Sequence, residues 1–275
     1  MVRIISSIIG VFVVIAILFF GETNPIIILM SLSIASSIIV SELLTAKELI
    51  KNYKISIPSM LFAFACPFLS LTDFYLAAIA VYVSYIFIIM LFFHESISFN
   101  DINFLLVTTF LVIFCIGSIA LSLRLYNYKY NAFFVILTLA IPWMADGGGY
   151  FGGTFLGKHK LCPKISPKKT VEGAVFGIFM GVLSAGLIGY VFETFIYHDI
   201  SINYVLIFTI GVTNALLSIV GDLSFSLIKR SCNIKDYGNI IPGHGGLLDR
   251  FDSILFTAPL IFILCSFVPI FNLRT

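Results

Sequence analysis

Nine stretches of this sequence are apolar over lengths that approach a bilayer crossing: residues 4–20, 25–43, 57–71, 74–93, 103–123, 131–145, 171–196, 203–223 and 253–271. A hydrocarbon core about 30 Å thick needs roughly 20 helical residues, with about 17 to 25 tolerated. Inside lipid every backbone N–H and C=O must find its partner within the protein, which favours helices over open sheets. The pattern therefore predicts an all-α polytopic membrane protein with about nine transmembrane helices. The third and sixth stretches are short, and Pro67 and Pro142 mark kinks or ends there. No small-residue cleavage site follows the first stretch, so it reads as an uncleaved span rather than a signal peptide. Residues 1–275 are expected to form a single integral membrane domain, 1–130 giving N-terminal helices and 131–275 the catalytic helices and loops.

Composition narrows the function classes. Only 11% of the 275 residues are charged, against about 25% in soluble domains. A net charge of +2 gives no argument for a nucleic-acid partner. Cys66, Cys115, Cys162, Cys232 and Cys265 form no CxxC pair and no even framework, so neither a zinc ribbon nor a disulfide scaffold is indicated.

Basic residues sort the loops into two sides. With nine spans, one side holds Arg3, Lys47, Lys51, Lys54, Lys158, Lys160, Lys164, Lys168, Lys169, Lys229, Arg230, Lys235 and Arg250, and the other Arg124, Lys129 and Arg274. Thirteen against three makes the first side cytoplasmic. Both long polar segments, 146–170 and 229–252, fall on it, so the chemistry is expected to face the cytosol.

In the seventh span Gly173, Gly177, Gly181, Ala185 and Gly189 place a small residue at every fourth position, a smooth stripe against which a helix packs closely. The partner is either a helix of the same chain or a second copy in a homodimer.

The densest polar constellation begins at Gly221-Asp222 and runs through Ser226, Lys229-Arg230, Lys235-Asp236, Pro242-Gly243-His244-Gly245-Gly246 and Asp249-Arg250-Phe251-Asp252. If 222–230 is helical, Asp222, Ser226 and either Lys229 or Arg230 share one face. Asp249 and Asp252, three apart at a helix start, can converge on one hard cation, and Mg²⁺ takes one or two carboxylates plus substrate phosphates. Acids at a helix start are also favoured by the macrodipole alone. The glycines permit close backbone approach to phosphate. His244 reads as a phosphate donor, a proton carrier or a loop histidine.

This string resembles the signature of the phosphatidate cytidylyltransferase (CDP-diacylglycerol synthase) family, from Ser226-x-x-Lys229-Arg230 through Lys235-Asp236-x-Gly238 to Pro242-x-His244-Gly245-Gly246-x-x-Asp249-Arg250-x-Asp252, over 27 residues. A second segment, Asp146-Gly147-Gly148-Gly149-Tyr150 to Ser166-Pro167-Lys168-Lys169-Thr170, is also similar to the family. Relatives usually have Ser or Thr where Gly147 stands. Ser166 before Pro167 reads as an N-cap and first helical residue, aiming amides and Lys168 and Lys169 at an anion. Gly152 to Lys158 fits the GxxxxGK part of a P-loop, but His159 stands where Ser or Thr must hold Mg²⁺, and no buried strand precedes it.

The resemblance implies CTP and phosphatidic acid as substrates, CDP-diacylglycerol and pyrophosphate as products, and Mg²⁺ as cofactor, with or without a second cation. It implies Asp222, Asp249 and Asp252 as metal carboxylates, with Asp146 and Asp236 as further candidates. Lys229, Arg230, Lys235, Arg250, Lys168 and Lys169 become phosphate contacts, and Ser166, Ser226, Gly245 and Gly246 join the nucleotide site. His244 is a further partner. Membrane lipids surround the enzyme, in a bacterial plasma membrane. A CTP-dependent lipid or polyprenol kinase, or a secondary transporter with buried acids, are the rival readings.

Overall fold

In this computed structural model, which describes residues 2–273, nine α-helices form in the order read from the apolar pattern: α1 Val2–Thr23, α2 Pro25–Ala46, α3 Tyr53–Leu69, α4 Tyr75–Phe92, α5 Phe99–Arg124, α6 Asn131–Leu156, α7 Val171–Val191, α8 Tyr204–Ser231 and α9 Leu248–Phe267. Arg274 of the topology count lies outside the described residues. Among the described residues seven helices, α2 and α4 to α9, are long and apolar enough to cross a membrane, and α3 and the Ile8–Thr23 stretch of α1 are shorter apolar helices. The chain is an all-α polytopic membrane protein. It divides into two units, Met1–Arg124 with Ser231–Phe251, and Leu125–Arg230 with Asp252–Thr275.

In the first unit α2 packs on α1, α3 and α5, and α4 packs on α3 and α5. Ile39, Val40, Leu43, Ile55, Ala63, Ile86, Ile102, Val112 and Ile116 fill its interior. Hydroxyl and thiol groups tie the helices where water cannot. Ser36 Oγ donates to Ala63 O at 2.6 Å, Tyr82 OH to Ser59 Oγ at 2.8 Å, and Cys66 Sγ to Ile113 O at 3.1 Å.

In the second unit α6 and α7 are closely packed along the glycine stripe. A Cβ added at Gly173 would meet Gly149 O at 2.6 Å, one at Gly177 would meet Ala145 O at 2.6 Å, and one at Gly181 would meet Ala215 Cβ at 2.8 Å. The stripe is therefore used within the chain. Val175, Phe179, Leu183 and Leu187 point outward from α7, suited to lipid. A π turn, Phe192–Ile196, continues α7. Beyond it β3 (Ile200–Ile202) pairs antiparallel with β4 (Phe271–Leu273), beside clustered rings of Tyr126, Tyr130, Phe133 and Phe271.

Helix ends differ from the sequence reading in two places that matter for the site. First, α6 does not stop near residue 145 but continues through Asp146 and the three glycines to Leu156, with Pro142 inside it. Glycine is a poor helix former in isolation, but Gly148 and Gly152 are buried where α6 meets α7, and close packing there outweighs propensity. Second, Ser166 does not cap a helix. Ser166–Thr170 is the strand β2, paired antiparallel with β1, Lys160–Cys162. Thr170 is the N-cap of α7, its hydroxyl accepting from Gly173 N at 3.1 Å.

Candidate active site

The second unit gathers charge at one place from four elements: α6, β2, α8 and the start of α9. Extension of α8 to Ser231 makes 222–230 helical, so Asp222, Ser226 and Lys229 lie on successive turns of one face. Ser226 Oγ stands 3.5 Å from Asp222 Oδ1. Arg230 falls on the exposed side, so Lys229 is the cation that turns inward. Gly221 lets α9 approach, for a Cβ there would meet Asp252 O at 2.8 Å.

Asp252 is the most enclosed acid of this group, 7% exposed. Lys229 Nζ lies 4.0 Å from its Oδ2, and Asp222 and Asp146 are its acidic neighbours. Lys169 Nζ pairs with Asp222 Oδ2 at 2.5 Å. Strand geometry explains that choice: alternate residues of β2 face opposite ways, so Lys169 is half-buried while Lys168 stays exposed. Ser253 Oγ donates to Asp146 Oδ2 at 3.1 Å. Three carboxylates and two ammonium groups are thus gathered in this unit.

The hairpin that presents Lys169 is held at its base by two residues the motif string contained without a role. Glu172 accepts from the amides of Lys158 at 3.0 Å and His159 at 3.2 Å, and His159 Nδ1 lies 2.6 Å from its Oε1. An acid in the first turn of a helix was the available signal.

The first unit holds the glycine-rich part of the signature. Gly243 and Gly245 have φ of 78° and 88°, the left-handed region open to glycine. Ile241 N donates to Gly245 O at 2.9 Å, closing a tight turn with His244 at its tip. His244 Nδ1 lies 2.9 Å from Ser6 Oγ, and His244 O accepts from Arg250 Nη2 at 2.7 Å. Gly246 is buried, whereas Lys235 and Asp236 are exposed.

Asp249 binds backbone amides of the same unit. Its Oδ2 accepts from Tyr237 N at 2.9 Å and Gly246 N at 3.0 Å, so one oxygen binds loop amides. No group of three His, Cys, Asp or Glu side chains comes together at metal-ligating spacing among the described residues. Asp249 is thus held by amides of its own unit, while Asp222 and Asp252 are neighbours in the second unit. The sequence reading also missed Glu42 of α2, whose carboxylate accepts from Leu247 N at 2.8 Å and Leu248 N at 2.7 Å. An acid inside an apolar span was the signal that marked it.

A sequence model of the family described as "Cytidylyltransferase family" matches residues 1–268. The chain belongs to the cytidylyltransferase family. Among curated relatives of this cytidylyltransferase-family chain, a phosphatidate cytidylyltransferase of Rickettsia bellii is 44% identical over 146 residues, 53% of this chain and 63% of the relative. That of Staphylococcus epidermidis is 38% identical over 156 residues, 55% of this chain and 58% of the relative. That of Bacillus subtilis is 39% identical over 138 residues, 50% of this chain and 49% of the relative. The match spans roughly half to two thirds of the curated relatives' length.

Proposed function

We propose that this cytidylyltransferase-family chain is a phosphatidate cytidylyltransferase, joining CTP to phosphatidic acid to give CDP-diacylglycerol and pyrophosphate in phospholipid biosynthesis. The observation that carries the reading is the cluster of Asp146, Asp222 and Asp252 against Lys169 and Lys229. It offers oxygen ligands for a hard cation and ammonium groups for phosphate in one place. The named relatives support the choice of lipid and nucleotide.

A phosphate oxygen of phosphatidic acid would attack the α-phosphorus of CTP while the bond to the β-phosphate oxygen breaks and pyrophosphate leaves. The attacking monoester is largely ionised near neutral pH, its second pKa being about 6, so no strong base is required. Both reactants are anions, and the residues must offset their repulsion. Lys229 and Lys169, balanced by Asp252 and Asp222 in this structure, are placed to exchange a carboxylate partner for phosphate oxygen. Arg230 and Lys168 are exposed, Lys235 and Arg250 likewise, and would meet phosphates entering from solvent.

The carboxylates fit Mg²⁺, which usually takes one or two protein carboxylates and completes its shell with phosphate and water. Asp222 and Asp252 would hold it, with Asp146 fixed by Ser253 as a neighbour. When bound it would supply positive charge to phosphate oxygens as the leaving group develops negative charge. Asp249 keeps its two amide bonds within the loop of the first unit.

The basic-residue asymmetry supports placing this site at the cytoplasmic face, where CTP is available. The glycine stripe packs within the chain, against α6 and α8. Purified protein with phosphatidic acid, CTP and Mg²⁺ should release pyrophosphate in step with a cytidylylated lipid. Release of CDP with no cytidylylated lipid would assign a CTP-dependent lipid kinase instead.

A further inference from the structure

Glu42 lies near the end of α2 and is only 4% exposed, in a span where an unpartnered carboxylate would be costly. Its partners come from residues about two hundred positions away. Leu247 N donates to Oε1 at 2.8 Å and Leu248 N to Oε2 at 2.7 Å. These amides open α9, where the first N–H groups have no intrahelical acceptor and the helix end is positive.

A second observation concerns the glycines. A Cβ built on Gly246 would lie 2.5 Å from Glu42 Oε1, and one on Gly238 would lie 2.8 Å from the same oxygen. Both positions are glycine in a backbone conformation open to any residue, since neither has positive φ. What excludes a side chain is the carboxylate. Asp249 holds the same loop from within, through Tyr237 N and Gly246 N. Gly246 is therefore fixed on one side by Asp249 and on the other by Glu42.

We propose that Glu42 is a positioning residue: by holding the amides of Leu247 and Leu248 and filling the space beside Gly238 and Gly246, it sets the loop conformation that presents His244, Gly245 and Arg250 to phosphate. The kinetic part rests on the cytidylyl transfer proposed above; the structural part does not. Glu42→Ala removes both acceptors, Glu42→Gln retains the size but turns one acceptor into a donor facing an amide, and Glu42→Asp keeps the charge on a shorter stem.

Three measurements on purified, folded protein decide it. In the pyrophosphate assay, Glu42→Ala should lower kcat about a hundredfold while KM for CTP moves far less, since displacement of a catalytic loop by about 1 Å costs that much. Glu42→Gln should lose roughly tenfold, and Glu42→Asp should recover part of it. Trypsin should cut after the exposed Lys235 and Arg250 roughly tenfold faster in Glu42→Ala than in wild type. Gly246→Ala should damage the wild type but add little in the Glu42→Ala background, because the space is then open. Wild-type kcat with wild-type cleavage in Glu42→Ala, or simple additivity with Gly246→Ala, overturns the proposal. If the wild type makes no cytidylylated lipid, the reaction is wrong and the cleavage rates alone decide the role of Glu42. Should Glu42→Ala not insert, Glu42→Gln carries the same comparison.

Discussion

Removing the charge of Asp252 probes the site at its most enclosed acid. Asp252→Asn or Asp222→Asn should abolish pyrophosphate release while the protein still inserts, because an amide lacks the charge that a hard cation requires; near wild-type turnover at limiting Mg²⁺ would remove that acid from the site. Asp249 should behave differently. Asp249→Ala strands two loop amides and should cost about 1–3 kcal/mol of stability, read as a fall in melting temperature that Asp252→Asn does not share. Lys229→Met should lose roughly ten- to 150-fold in kcat/KM, the equivalent of about 1.5–3 kcal/mol for a charge-assisted contact. Lys51→Met, an exposed lysine, should lose little, and equal losses would mean that only surface potential matters. Away from the site, Lys129 and Asp199 form a surface pair in which each holds the other charged: Lys129 raises its own pKa by bonding Asp199, and Asp199 falls below the ordinary carboxylate range through the same bond. The depressed acid contributes above its unfolded pKa and is lost as pH falls through its folded value; the raised amine contributes below its unfolded pKa and is lost as pH rises through its folded value. The melting-temperature difference between wild type and Asp199→Asn should therefore persist at neutral pH and shrink in acid below the usual carboxylate range.

At the scale of elements the glycines of α6 and α7 separate into those that packing demands and those it does not. Gly177→Leu drives side-chain atoms into Ala145 O of α6 and should destabilise by about 1–3 kcal/mol or more. Gly147→Ala meets nothing within 4 Å and should be neutral or stabilising by about 0.5–1 kcal/mol through helix propensity. The two can be compared by thermal unfolding in detergent, and equal losses would show that the α6–α7 seam is not close-packed. The stripe itself was legible because its fourfold spacing is a local pattern. The extension of α6 past Asp146 was not, since three consecutive glycines read as loop until the face they offer to α7 is known. The same holds for Ser166-Pro167: Ser–Pro is a sound helix start, yet pairing with β1 puts it in a strand and leaves Thr170 to cap α7.

For the whole molecule, the chain carries its own reporters of which side each loop faces. Cys162 and Cys232 are half-exposed, each close in sequence to a basic residue, while Cys66, Cys115 and Cys265 are buried. An impermeant maleimide should label the first two in inside-out vesicles and miss them in right-side-out ones, with the buried three reacting poorly from either side. CTP with Mg²⁺ should slow labelling of at least one. Labelling of both thiols only from the outer face would reverse the orientation and remove cytosolic CTP as the nucleotide.

The sequence by itself determined the nine helices found among the described residues, their order and the charge asymmetry of the loops, because burying an apolar run in lipid depends on that run alone. It also marked the acids and lysines that gather in the second unit, since carboxylates, lysines and glycines at fixed spacings are visible without a fold. Only the tertiary structure decided what those residues touch. Lys169 rather than Lys168 pairs with Asp222, Lys229 rather than Arg230 turns toward Asp252, and Asp249 binds amides. Glu42 reaches amides more than two hundred residues along the chain. Hydrogen-bond partners are chosen by proximity in space, and a buried carboxylate takes whichever donors the packed helices bring to it.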